Sequence, residues 1–600
     1  MARSTIFSVN KSPLRSYVME MLQTGGHDIM KGIGVSLLLV VSAAMLPGSP
    51  HMQFQWTEGS RRLEVSARGT VEFTDDDRDV KSLSPDGYFR IEENYLLLFS
   101  GRRYEVTADG TGRLTRTYFD HDRAKPLDGQ GQAWLMGIMP EVIRKTGLGA
   151  VPRLQRILKQ GGPSAVLSEI SRIRDDEPKR IYLQELINRA NLNPDQLWSA
   201  MLQARKIGSD EEKAGLLEAV APYFLKDNLR EAIFQVAGTI GSDEEHSHVL
   251  LALIKRDSGR EALRLAAKSA GHIGSDEEKA KVLVEIAGSD KGDREVGRSL
   301  LSSAATIGSD EERRRVLSAV FTSNGSDREI PVEALRLSAG IGSDEEKAAV
   351  LIQAAPRFVD GNTSRRAFFD AAGSIGSDDQ RRKVLSSVLK RAGLSDATLA
   401  AVTTSAKGMG SDEEKAGVLA EMAAGNLQGP LARAAFFEAV NTIGSDDERK
   451  RVLLAVAHHA GSGTEIVTEV AKSAKPMGSD EDKAAVLVEL AGSSFQEDRL
   501  RDAFFAAVDS IGSDDERGKV LSAVLTKRGV SKEVVIRTIE SAAKVPSDEI
   551  KARVLGQAIG ASLVDPKVRA AFQKALESIQ SDGEYRRLVS AMSKSGAEAH

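Results

Sequence analysis

Residues 207–241 read IGSDEEKAGLLEAVAPYFLKDNLREAIFQVAGTIG. Ser209 is a helix N-cap residue, and Glu212 stands three residues on, the S-x-x-E spacing of a capping box. Asp210, Glu211 and Glu212 place negative charge where a helix dipole is positive. Leu216, Leu217, Val220 and Ala221 follow at helical spacing. The chain breaks near Lys226-Asp227-Asn228, and a second apolar stripe runs through Ile233, Val236 and Ala237 to Ile240. Gly241 ends it, and the next Ser begins another cap.

The tetrapeptide Gly-Ser-Asp-Glu/Asp recurs. Its Asp falls at 210, 243, 276, 310, 344, 378, 412, 446, 480 and 514, and in the variants PSDE and QSDG at 548 and 582, in steps of 33, 33 and then 34 throughout. A degenerate copy stands at Asp176 in RIRDDEPKR. Such self-similarity is the signature of a stacked array. The predicted fold is therefore mainly α: an α-solenoid of 34-residue two-helix repeats, about 13 of them, over residues 174–600. Two helices of about 12 residues are marginal alone in water, so each unit depends on its neighbours. The predicted structural caps include Ser209 with Glu212, Ser275 with Glu278, Ser411 with Glu414 and Ser445 with Glu448. A longer period overlies the first. Phe369, Phe437 and Phe505 recur in Ala-Phe-Phe triplets, and the units that follow read GSDDQRRKVL, GSDDERKRVL and GSDDERGKVL. The array reads as a duplication of pairs.

Upstream, residues 126–173 form a helical bridge. Trp134, Leu135, Ile138, Met139, Val142 and Ile143 make one stripe, and Gly161-Gly162-Pro163 punctuates the chain. Residues 51–125 alternate with period two. Leu63, Val65 and Ala67 face one way, Pro85-Asp86-Gly87 is a turn, and Asp109-Gly110 is a hairpin signal. The expectation is a small antiparallel β-rich domain of five to seven strands. Residues 1–50 read as an export signal region. The apolar run Ile33–Leu46 follows Lys31, ends in small residues and is too short to span a bilayer.

The chain has 600 residues, with Lys+Arg 81 and Asp+Glu 86, net charge −5. Near balance argues against a nucleic-acid binder. The absence of cysteine removes disulfides, thiolate metal sites and cysteine nucleophiles. No H-E-x-x-H, G-x-S-x-G or Walker sequence occurs, so no catalytic residue, cofactor site or metal site is assigned. The histidines, His246, His248, His458 and His459 among them, read as surface residues. Asp120-His121-Asp122 reads as a solvated turn.

The segments DVKSLSPDGYFRIEE (79–93), RRYEVTADGTGRLTRTYF (102–119) and AWLMGIMPEVIRKTGLGA (133–150) resemble exported bacterial proteins of unassigned function. They also resemble the extracytoplasmic region attached to membrane metallopeptidases of the β-lactam-sensor type, where S-D-x-x-K helical repeats follow. The peptidase signature is absent here, so the resemblance implies a repeat region without that activity. Residues 407–413, KGMGSDE, are similar to the loop of annexin repeats, where a downstream acid completes a calcium site. Lys450 and Gly518 stand where that acid would fall.

The expected function is a non-enzymatic exported scaffold, or protein-binding repeat protein, periplasmic or extracellular. The alternatives are a sensor or regulatory part of an envelope peptidase system and a calcium-dependent membrane binder. The expected partner is a protein, with no nucleic acid, and with a membrane only through an uncleaved signal. The cap is nearly constant while exposed second-helix positions vary. The candidate partner surface is therefore Arg264, Lys268, Arg336, Lys472 and Arg537, with Thr403, Thr404, Glu469 and Glu540.

Overall fold

The computed structural model describes residues 51–594 apart from 96–99, 226–228, 324–326, 424–426, 460–462, 494, 528 and 564. The apolar run Ile33–Leu46 lies outside the described residues. The chain divides into two compact units, one up to Gln203 and one from Ala204 onward. The degenerate repeat copy at Asp176 falls in the first.

Among the described residues, the first unit opens with eight strands: β1 His51–Glu58, β2 Arg61–Arg68, β3 Val71–Phe73, β4 Val80–Leu83, β5 Tyr88–Tyr95, β6 Ser100–Ala108, β7 Leu114–Asp120 and β8 Arg123–Lys125. Six form an antiparallel sheet in the order β1-β2-β5-β6-β7-β8, and β3-β4 is a separate hairpin. The count exceeds the expected five to seven because β3, β4 and β8 are too short for alternation to show. The register sets Val65 opposite Ile91, and Ile91 opposite Tyr104. These three are wholly buried on one face. The helix α1, Gly129–Thr146, packs Leu135, Ile138, Met139, Val142 and Ile143 into that same core. Its start is capped by Asp128, which accepts from the amides of Gln130 and Gly131, and its end is the left-handed Gly147. Gly149 must lack a side chain, since a Cβ there would come 2.9 Å from the Phe73 ring. The Gly-Gly-Pro punctuation appears as a kink at Gly162, φ 67°, inside the run Ala150–Ile170.

In the second unit the repeats from Asp210 to Leu576 are antiparallel helix pairs. Asp344–Phe358 and Asn362–Gly373 are one example. Capped helices stack on capped helices of the neighbouring repeats, and second helices stack on second helices. Val350, Leu351 and Ala354 are buried from one layer, and Phe368, Ala371 and Ile375 from the other. The Ala-Phe-Phe triplets fill the second layer. Phe368, Phe436 and Phe504 are fully buried, each edge-on to the next Phe at 5.3 Å. Each fully buried ring contributes roughly 1.5–3 kcal/mol.

Candidate interaction edges of the array

The repeats from Ser209 to Ser547 begin with the same hydrogen-bonded turn. The Ser hydroxyl accepts from the amide three residues on: Glu212 to Ser209 at 3.3 Å, Glu278 to Ser275 at 3.4 Å, Glu414 to Ser411 at 3.3 Å and Glu448 to Ser445 at 3.4 Å. The reciprocal half of the capping box is replaced by something else. The amides of Ser275, Ser411 and Ser445 donate not to a local Glu but to Asp243, Asp378 and Asp412 of the preceding repeat, at 2.7, 2.7 and 2.8 Å. The Asp of the tetrapeptide is thus a staple between repeats. Asp412 also accepts from the amide of Gly444 at 2.9 Å, and Asp446 from those of Gly478 and Ser479. The Gly before most of these Ser residues suits the close approach, although Pro546 and Gln580 stand there before Ser547 and Ser581. A Cβ at Gly274, Gly308, Gly342 or Gly376 would sit 3.0–3.3 Å from the stapling carboxylate.

The acid two places after the Asp makes a second bridge in several repeats. Arg314 pairs with Glu346, Arg382 with Glu414 at 3.0 Å, and Lys450 with Asp482 at 2.6 Å, each reaching into the next repeat. Asp447 and Asp482 together hold the Lys450 ammonium above its ordinary range. The basic residue three places after the Asp turns the other way. Lys213, Lys347 and Lys483 are buried and donate to the carbonyls of Thr239, Ser374 and Ser510 at 3.0–3.1 Å. Arg313 and Arg381 reach Gly340 and Gly408 similarly, at 2.8 and 3.2 Å. A cation at the C-terminal end of the second helix suits its dipole. Lys213 also lies 3.8 Å from Asp210 of its own turn.

His246 takes that same position and is 2% exposed, so it is not a surface histidine. Its Nε2 lies 2.9 Å from the Ser269 hydroxyl. Burial first, and His272 second, push its pKa down to about 4. His121 and Asp122 are the two positive-φ residues of the β7–β8 turn, with His121 Nδ1 2.8 Å from Asp120.

The constant turns all lie along one edge, where second helices end and capped helices begin. Among the described residues, the loops joining the two helices of a repeat lie along the opposite edge, and they vary: DSG (257–259), DKGD (290–293), VDG (359–361) and KRAGLS (390–395). The candidate second-helix residues separate by environment. Arg264 pairs with Glu261 at 2.7 Å and Lys472 with Glu469 at 2.8 Å. Arg537 lies 3.4 Å from Asp502 and 3.8 Å from Glu540, over the Phe505 ring. Lys268 and Arg336 are exposed and have no ion pair among the described residues. Thr404 is exposed, but Thr403 is wholly buried and donates to the Leu399 carbonyl at 2.8 Å. It belongs to the packing, because its neighbour Val402 and it both face the inter-layer core.

Three cavities adjoin on the variable edge. One of about 400 Å³ is lined by Asp290, Val320, Asp327, Arg328, Arg357 and Phe358, among others. It shares Arg328 and Ser364 with a second, which reaches Arg336, and Asp290 and Ser323 with a third, which reaches Lys291. Sequence reasoning found Arg336 but missed the groove, whose walls come from three successive repeats.

No family model matches the chain, and no curated protein does. Among solved structures it is similar to a chain of the AP-3 complex (12% identity, 79% of this chain and 94% of that chain, TM-score 0.24). It is likewise similar to the UNC-45 chaperone (12% identity, 78% and 69%, TM-score 0.25) and to a chain of the Cut9-Hcn1 tetramer (11% identity, 78% and 94%, TM-score 0.17). The helices and their stacking define the class: a helical-repeat solenoid protein preceded by a small antiparallel β-sheet domain.

Proposed function

We propose that this chain is a non-enzymatic scaffold that binds a protein partner along the variable edge and the adjoining second-helix faces of its array. The observation that carries the reading is the division between the two edges. On one, the recurring Ser, its Asp and the basic residue three places on are engaged in the array's own turns and junctions. On the other, sequence differs from repeat to repeat, and Lys268 and Arg336 are exposed with no ion pair among the described residues. Solenoids characteristically use extended surfaces of the second kind for recognition. The apolar run Ile33–Leu46 supports export, which would place the partner outside the cytoplasm. N-terminal sequencing of the secreted chain tests that part, and a start near residues 44–50 is expected.

The binding reading is tested by affinity capture from an envelope fraction with the full chain. Charge reversal at Lys268, Arg336 and Lys472 should abolish capture. Reversal of the exposed Glu211, Glu345 and Glu413, on the constant edge, should leave it intact. The opposite pattern would place the binding face on the wrong edge.

A further inference from the structure

Most basic side chains along the array are engaged. They bridge to the next repeat, reach helix carbonyls, or pair with an acid three or four residues away on their own helix. The groove over residues 290–364 departs from this. Lys291, Arg328 and Arg336 line its three adjoining cavities, are exposed, and make no side-chain hydrogen bond or ion pair among the described residues. The acids there are occupied. Asp327 accepts from Arg294 and from the amides of Glu329 and Ile330. Glu329 lies 3.1 Å from Arg294, Glu333 lies 3.9 Å from Arg298, and Asp290 accepts from the Asp293 amide. Arg357 is held by the carbonyls of Phe321 and Ser323 and keeps its charge at the rim. Between these charges Val320, Ile330, Pro331 and Phe358 give the groove apolar wall.

We infer that this groove is the docking site for an extended acidic peptide segment of a partner protein, with carboxylates meeting Lys291, Arg328 and Arg336 and an apolar side chain seated against Phe358. The inference rests on the scaffold reading and names the partner's chemistry. Charge complementarity selects the occupant. Three free cations face a groove whose own carboxylates are already satisfied, and unmatched charge of one sign favours a partner of the other. Length agrees with this. Stacked helices are about 8–10 Å apart, so three successive repeats span roughly 20–30 Å. An extended strand covers that in about six to nine residues at roughly 3.3 Å each. A nucleic acid fits less well, because the cations are three within one short groove of a chain whose net charge is −5.

Fluorescence anisotropy with the full chain tests this, using a labelled peptide Glu-Glu-Leu-Glu-Glu-Leu-Glu at low ionic strength. Binding should weaken as salt rises, because exposed pairs are screened. The double variant Arg328→Glu/Arg336→Glu should lose about tenfold or more in affinity, equivalent to about 1.4 kcal/mol or more. The milder Arg328→Gln/Arg336→Gln should lose less, and Lys383→Glu/Lys519→Glu, at exposed positions on capped helices, should match the parent. Unchanged melting would show that the variants fold. Equal loss in both charge-reversal variants, no measurable binding, or tighter binding of an oligothymidylate of equal charge would each overturn the inference. If peptide binding fails while partner capture is still abolished by reversal at Lys268 and Lys472 with Arg336 kept, the groove assignment falls and the scaffold reading stands.

Discussion

His246 occupies a position that other repeats give to a buried Lys or Arg, and that exchange has a consequence for acid stability. Its folded pKa is about 4, below the ordinary 6.5. Between these values the unfolded chain binds a proton that the folded chain does not. Stability is therefore present above pH 6.5 and is lost as pH falls toward 4. Asp243 and Asp210 favour the charged form but are outweighed by burial. The loss should reach about 2 kcal/mol by pH 5. Thermal unfolding of His246→Lys, compared with the parent from neutral pH to about pH 5, should show a flatter pH dependence. Parallel curves would mean that His246 is protonated without cost in the fold. The Ser cap was legible in the sequence because its partner is three residues away. The role of Asp was not, because the Ser it holds lies 33 residues on in most repeats, as with Asp412 and Ser445, and an acid at a helix start already has a local explanation in the dipole. His246 was misread for the same reason. Its burial comes from the second helix of its repeat, which no local spacing reveals.

At the scale of one helix, two glycines should respond in opposite directions. Gly215 is exposed within Asp210–Phe224, and a Cβ there meets nothing within 4 Å. Gly215→Ala should stabilise by about 0.5–1 kcal/mol through the unfolded chain and helix propensity. Gly297 is buried within Arg294–Ala304, and a Cβ there would come 2.7 Å from Ile330 of the next repeat. Gly297→Ala should destabilise by about 1–3 kcal/mol, the usual cost of overpacking. Chemical unfolding of each variant checks the signs, and a stabilised Gly297→Ala would show that Ile330 moves aside freely. Ser411→Ala should cost about 0.5–2 kcal/mol, the loss of an N-cap, in the same assay. The helices themselves were readable from caps and apolar spacing. The short strands β3, β4 and β8 were not, since a run of three or four residues carries almost no alternation. The kink at Gly162 looked like a break because Gly-Gly-Pro ends most helices, whereas here the chain resumes the helix directly.

Across the whole array, stability should behave as units plus nearest-neighbour junctions. The carboxylate staple makes each junction a specific coupling as well as an apolar contact. Because the Asp412 carboxylate already accepts from Gly444 and Ser445, added calcium should leave the melting temperature unchanged. A calcium-dependent rise removed by Asp412→Asn would instead favour the annexin-like reading of residues 407–413.

The division of labour between the edges depends most on the claim that the repeated Asp serves the array itself. Native-state hydrogen exchange at the amides of Gly444 and Ser445 tests it directly, comparing Asp412→Ala with Glu413→Ala. Asp412→Ala should strip protection from both amides and weaken that junction by about 2 kcal/mol, the order of a lost charge-assisted hydrogen bond. Glu413→Ala, at an exposed neighbour, should leave them protected. Unchanged protection in Asp412→Ala would contradict the claim and return the constant edge to the list of binding surfaces.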